Sequence, residues 1–142
     1  MKPTQQIAQE LYDRWQASPH KQDGGDFTGV AVHAVLIYEL QAEGKKVAPI
    51  LEIGELPGGG LQLSSWVNVW ADPGDGGYFD LMATPPIFNA KTLPGCRCVK
   101  DYMIHDFEGL MRQLYASGCG PLIADLSPIL DSIYGLQEVN HA

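Results

Sequence analysis

Gly29-Val30-Ala31-Val32-His33-Ala34-Val35-Leu36-Ile37-Tyr38-Glu39-Leu40-Gln41-Ala42-Glu43, closed by Gly44, is the stretch on which the fold of this chain turns. Val30, Val32, Val35, Ile37 and Tyr38 favour a strand, and alternation cannot decide because both faces are apolar. Three features favour a helix. The run of 15 residues is long for a strand. Leu36, Leu40 and Glu43 keep the i, i+4, i+7 spacing, and Gly44 stands where a left-handed C-terminal cap belongs. The reading is a helix over Gly29 to Glu43, with a hairpin turning at Glu43-Gly44 as the rival.

Upstream, Ile7, Leu11 and Trp15 fall at i, i+4 and i+8, with Ala8 and Tyr12 flanking the same stripe, which predicts an amphipathic helix. Thr4 can cap it, Pro19 ends it, and Glu10 and Arg14 are spaced for an exposed i, i+4 ion pair. Asp23-Gly24-Gly25-Asp26 reads as a flexible turn. Downstream, Val47 to Ile53 is a strand that tolerates Pro49 best near its start or on an edge. Leu61 to Ala71 is the clearest strand, with Leu61, Leu63, Ser65, Val67, Val69 and Ala71 on one face and Gln62, Ser64, Trp66, Asn68 and Trp70 on the other. Asp72 to Gly77 turns the chain into Tyr78 to Met82, expected to pair antiparallel with that strand.

Prolines 85, 86 and 94 predict an irregular crossing from Ala83 to Cys98. Val99, Met103, Phe107, Leu110 and Leu114 then share one face of a helix from Val99 to Ser117, stopped by Gly118. A last helical piece, Pro121 to Tyr134, breaks near Ser127-Pro128. The expected architecture is a single α+β domain over residues 1–142. N-terminal helices precede a small antiparallel sheet of three or more strands, and further helices follow it.

Nine basic residues against 17 acidic ones give a net charge of −8, which repels phosphate backbones and excludes a nucleic-acid ligand. Lys91, Arg97 and Lys100 form a small basic cluster that a solvated loop explains. No secretory stretch opens the chain, and the longest apolar run, Val30 to Tyr38, is too short for a membrane span. Three cysteines make a disulfide framework improbable. These features together predict a cytoplasmic protein with reduced thiols.

The order of elements from Asp26 to Pro85 resembles the transglutaminase-like fold of the papain-like cysteine protease superfamily. Fifteen positions separate Gly29 from Gly44, and Trp66-Val67, Val69 and Thr84 match the family in type. In that family a cysteine opens the helix, a histidine begins a His-Ala-Trp-Val type strand, and an aspartate ends the next strand. The resemblance puts Gly29, Ser64 and Met82 at those places. Acyl transfer needs a thiolate, a proton shuttle and a carboxylate to hold the shuttle's tautomer, and glycine, serine and methionine supply none of them. The resemblance therefore implies a scaffold without catalytic residues.

On such a scaffold Ser64, Trp66, Asn68 and Trp70 would line the former cleft, with Asp80 two residues from the expected aspartate. Two indoles flanking an amide suit a peptide, a protein segment or a flat small molecule. Burial of the same tryptophans under helices is the ordinary alternative. Thr28, beside the nucleophile position, is inert without a base. His33 reads as a core histidine, and His20 and His141 lie near flexible segments. Cys96, Cys98, His105 and Cys119 have metal-ligand chemistry, but one residue between paired cysteines is too few for zinc, and Asp72 to Gly77 lacks the ligand spacing of a calcium loop. Neither metal nor cofactor is expected. Two other classes stay open: a small thiol-dependent hydrolase or transferase using Cys98 or Cys119, and an acidic inhibitor or immunity-type protein that binds a basic partner.

Overall fold

The structure is a computed structural model that describes residues 2–55, 61–69, 77–91, 100–103 and 107–140. Two helices, α1 (Thr4–Ala17) and α2 (Thr28–Ala42), precede strands β1 (Val47–Glu55), β2 (Leu61–Val69), β3 (Gly77–Asp80), β4 (Ile87–Ala90) and β5 (Lys100–Met103). Helices α3 (Phe107–Ala116), α4 (Gly120–Leu126) and α5 (Pro128–Asn140) follow. The strands form one antiparallel sheet in the order β4-β3-β2-β1-β5. The class is α+β.

The decisive stretch is a helix. Every residue of α2 from Thr28 to Ile37 is buried, and so is Leu40, because α2 packs on β1 and β2 and against α1, α3 and α4. A helix covered all round needs no polar face, which is why its sequence shows no clear period. Gly44 closes it in the left-handed region (φ 81°), and the Lys45 N–H donates to the Leu40 carbonyl at 3.0 Å. Gly118 ends α3 in the same way at φ 88°.

The two clear strands pair along their length, from Val47↔Val69 to Glu55↔Leu61. Among the described residues β5 pairs with Glu52 to Glu55, and Pro49 is paired with Val67 of β2. Val67, Val69 and Phe79 are buried in the core with α2. Ser127 caps α5, its hydroxyl accepting from the Leu130 N–H, and the Ser127-Pro128 break separates α4 from α5 as the sequence predicts.

Four expectations are corrected. Ala83 to Cys98 is not wholly irregular, because Ile87–Ala90 forms an edge strand on β3 through Tyr78↔Ala90 and Asp80↔Ile87. The single helix expected from Val99 is corrected, because Lys100–Met103 is taken up as β5 against β1 and the helix is described from Phe107. Thr4 is the first helical residue, with Pro3 at the cap position and no side-chain cap bond. Glu10 pairs with Lys2 at 2.9 Å, and Arg14 bridges across to Glu39 of α2 instead of to Glu10. No helix among the described residues is long and apolar enough to cross a membrane.

Candidate functional site

The first turn of α2 meets the turn that leaves β3, so two of the three positions singled out by the family resemblance touch. A Cβ placed on Gly29 would lie 2.6 Å from Met82 Cγ and 3.1 Å from its Sδ. Methionine 82 is itself 41% exposed, so its thioether covers Gly29 from the solvent side. Ser64 lies in β2, paired with Glu52. It stands three residues before Val67, and Met82 stands three after Phe79, the partner of Val67. The antiparallel register therefore brings both positions to the same end of the β2–β3 ladder.

One turn further along α2, polar chemistry reappears. His33 is 2% exposed, and its Nε2 accepts from the Leu81 N–H at 2.9 Å. An accepting Nε2 leaves the ring proton on Nδ1 and the imidazole neutral. Asp80 Oδ1 lies 3.7 Å from the same nitrogen and accepts from the Met82 N–H at 2.9 Å. Burial pushes the Asp80 carboxyl above its ordinary range, opposed by the backbone N–H groups of Met82 and Ala83. The family resemblance would put a histidine at Ser64; Asp80 instead has one beside it on the helix, His33. Its accepting nitrogen is held by the backbone, so it has no free lone pair there for a proton shuttle.

Beside Met82 an open cavity of about 380 Å³ separates the end of α1 from the head of α2. Trp15 and Gln16 line it from α1, Lys21 and Gln22 from the connecting turn, and Thr28 and Met82 from the far side. The Trp15 indole is fixed there, because its Nε1 donates to the Lys21 carbonyl at 2.9 Å. Thr28 is 5% exposed, and its Oγ1 is buried without a hydrogen-bond partner. Helix α2 carries neither a side-chain cap nor an acidic residue in its first turn. Asp23-Gly24-Gly25-Asp26 is more ordered than a flexible turn, leading into a 3-10 turn at Gly25–Phe27.

Of the side chains expected to line the cleft, only Asp80 is described. Ser64, Trp66 and Asn68 are placed as backbone positions in β2, opposite Glu52, Ile50 and Ala48. Their side chains, and Trp70 altogether, lie outside the described residues. Cys96, Cys98, His105 and the Asp72 to Gly76 loop lie outside them too. Cys119 is fully buried, its Sγ 3.9 Å from the Phe27 carbonyl, and burial followed by the charge of Asp23 pushes its thiol pKa up. A nucleophilic thiol needs the opposite shift and an open approach. Among the described residues no group of three or more His, Cys, Asp or Glu side chains could hold a metal.

Sequence reasoning missed the cavity. The spacing of Trp15 places it on the apolar stripe of its helix, and Thr28 has no base beside it. The signal available was a hydroxyl residue at the start of an apolar helix with no acid in its first turn. No protein-family model, curated protein or solved structure matches the chain.

Proposed function

We propose that this chain is a non-catalytic binding protein on a transglutaminase-like scaffold, and that it takes its ligand at the head of α2. The observation that carries the reading is the contact of Gly29 with Met82. The place where the family would hold a thiolate has no side chain, and a thioether covers it. Hydrolysis or acyl transfer there would need a nucleophile and a base that neither residue provides. The adjoining cavity, with a fixed indole and the polar residues Gln16, Lys21 and Gln22, has the mixed lining of a ligand pocket and a volume at the lower end of the usual range of about 300–1,000 Å³. Ser64, Trp66, Asn68 and Trp70 are proposed as a second surface, separate from this cavity, because Val67 and Val69, the alternate positions of β2, are the ones buried with α2.

The test is a fluorescence screen of small molecules and short peptides on the full chain, repeated with Trp15→Phe, Trp66→Phe and Trp70→Phe. Quenching lost in the Trp15→Phe protein assigns the cavity, and quenching lost in either of the others assigns the strand. Sustained turnover of amide or ester probes that disappears on cysteine alkylation would overturn the binding-protein reading in favour of a thiol enzyme.

A further inference from the structure

We propose that Met82 is a reversible oxidation site, and that its sulfoxide uncovers the head of α2 and changes the wall of the adjoining cavity. The inference adds a control to the proposed binding site and rests on that reading only for its effect on a ligand. Met82 is 41% exposed and lines the open cavity, so a small oxidant can reach it from solvent. Among the described side chains the other sulfurs, those of Met111 and Cys119, belong to residues with 0% exposure. The chemistry is oxygen transfer from hydrogen peroxide. The thioether sulfur gives two electrons to one peroxide oxygen, the O–O bond breaks, an S–O bond forms, and the other oxygen leaves as water. Return to the thioether consumes two thiol groups, which end as a disulfide, and releases one water.

What makes this position a switch is its neighbour. A Cβ on Gly29 would meet Met82 Cγ, Sδ and Cε at 2.6, 3.1 and 3.3 Å, so three consecutive side-chain atoms lie along a backbone with no side chain of its own. No room remains on that side for an added oxygen, and a sulfoxide oxygen pressed against it would be desolvated at a cost. The oxidised side chain therefore turns outward, and the first turn of α2 loses its apolar cover. The main chain stays in place, because the Met82 N–H donates to Asp80 Oδ1 at 2.9 Å and the Leu81 N–H donates to the buried His33 Nε2 at 2.9 Å. The change is confined to one side chain, set between the helix head and a cavity that Trp15 walls from α1.

The experiment treats the full chain with millimolar hydrogen peroxide and follows each methionine by peptide mass spectrometry. NMR records the Gly29 and Leu81 backbone amides and the Trp15 indole N–H alongside. Met82 is expected to oxidise several-fold faster than Met111. The Gly29 and Trp15 signals should shift in step with it while the Leu81 signal holds. Methionine sulfoxide reductases for both epimers, supplied with dithiothreitol, should restore the starting spectrum. Met82→Leu keeps an apolar cover that cannot be oxidised, so its Gly29 and Trp15 signals should not respond to peroxide. Oxidation of Met82 no faster than that of Met111 would overturn the site. Gly29 and Trp15 signals that stay still on full oxidation of Met82, that shift equally in Met82→Leu, or that move together with Leu81 would overturn the switch. No ligand enters the measurement, so its failure leaves the binding-protein reading to its own test.

Discussion

Gly29 and His33 stand one turn apart on α2 and face the same short segment, Asp80 to Met82, yet they meet it in opposite ways. At the outer position a bare backbone touches the Met82 thioether, and the contact is van der Waals alone. At the inner one a histidine at 2% exposure accepts from the Leu81 N–H, and a carboxylate 3.7 Å away accepts from the Met82 N–H. A catalytic site wants its titratable groups where a substrate can reach them, with lone pairs to spare. Here the reachable level offers no titratable group, and at the polar level His33 is buried with its accepting nitrogen occupied by the backbone, while the Asp80 side chain keeps 21% exposure. The polar residues of this segment therefore hold the turn after β3 against the helix, and the proposed function places recognition at the cavity of the outer level.

The contrast can be broken most sharply at the inner level. His33→Ala leaves a void and strands the buried Leu81 N–H, so it should cost about 3 kcal/mol in denaturant unfolding. A loss below about 1 kcal/mol would mean that the imidazole holds nothing together. At the outer level the sign should reverse: Thr28→Val removes a buried hydroxyl that has no partner and should stabilise the free protein by up to about 1 kcal/mol. Destabilisation by the same amount would mean that the hydroxyl is bonded in solution.

The smallest effect concerns Asp80. Its folded pKa is raised by burial, so the folded state holds the proton to higher pH than the unfolded chain does. The stability tied to that proton is complete below the unfolded value of about 4 and is lost as pH rises through the folded value. The difference in stability between wild type and Asp80→Asn should fall across that window. A difference that rises with pH would show that the N–H bonds from Met82 and Ala83 outweigh burial.

Much of this architecture was legible because it is local. The first helix has a 3.6 period through Ile7, Leu11 and Trp15, and α2 was identified by its length and by Gly44 despite its strand-forming valines. The β1–β2–β3 antiparallel run followed from alternation and turn residues. What failed was decided by partners distant in sequence. Val99, Met103 and Phe107 fit a helical stripe, but Lys100–Met103 satisfies its backbone on β1, some fifty residues earlier. Ile87–Ala90 hides in a proline-rich stretch because an edge strand needs only one neighbour. At the site, the resemblance pointed to Gly29 and Met82, and Gly29 does meet Met82. The cavity escaped because its walls come from α1, a connecting turn and Met82, and no spacing rule joins residues 15, 21, 28 and 82.

The most direct test of the account is a double-mutant cycle on Gly29→Ala and Met82→Ala, read by equilibrium unfolding. In a helix, alanine in place of glycine normally adds about 0.5–1 kcal/mol. Contact with Met82 should cancel that gain in the wild-type background and release it once the Met82 side chain is truncated. The expected coupling is about 1 kcal/mol. Effects that add to within about 0.3–0.5 kcal/mol would contradict the claim that Met82 covers the head of α2.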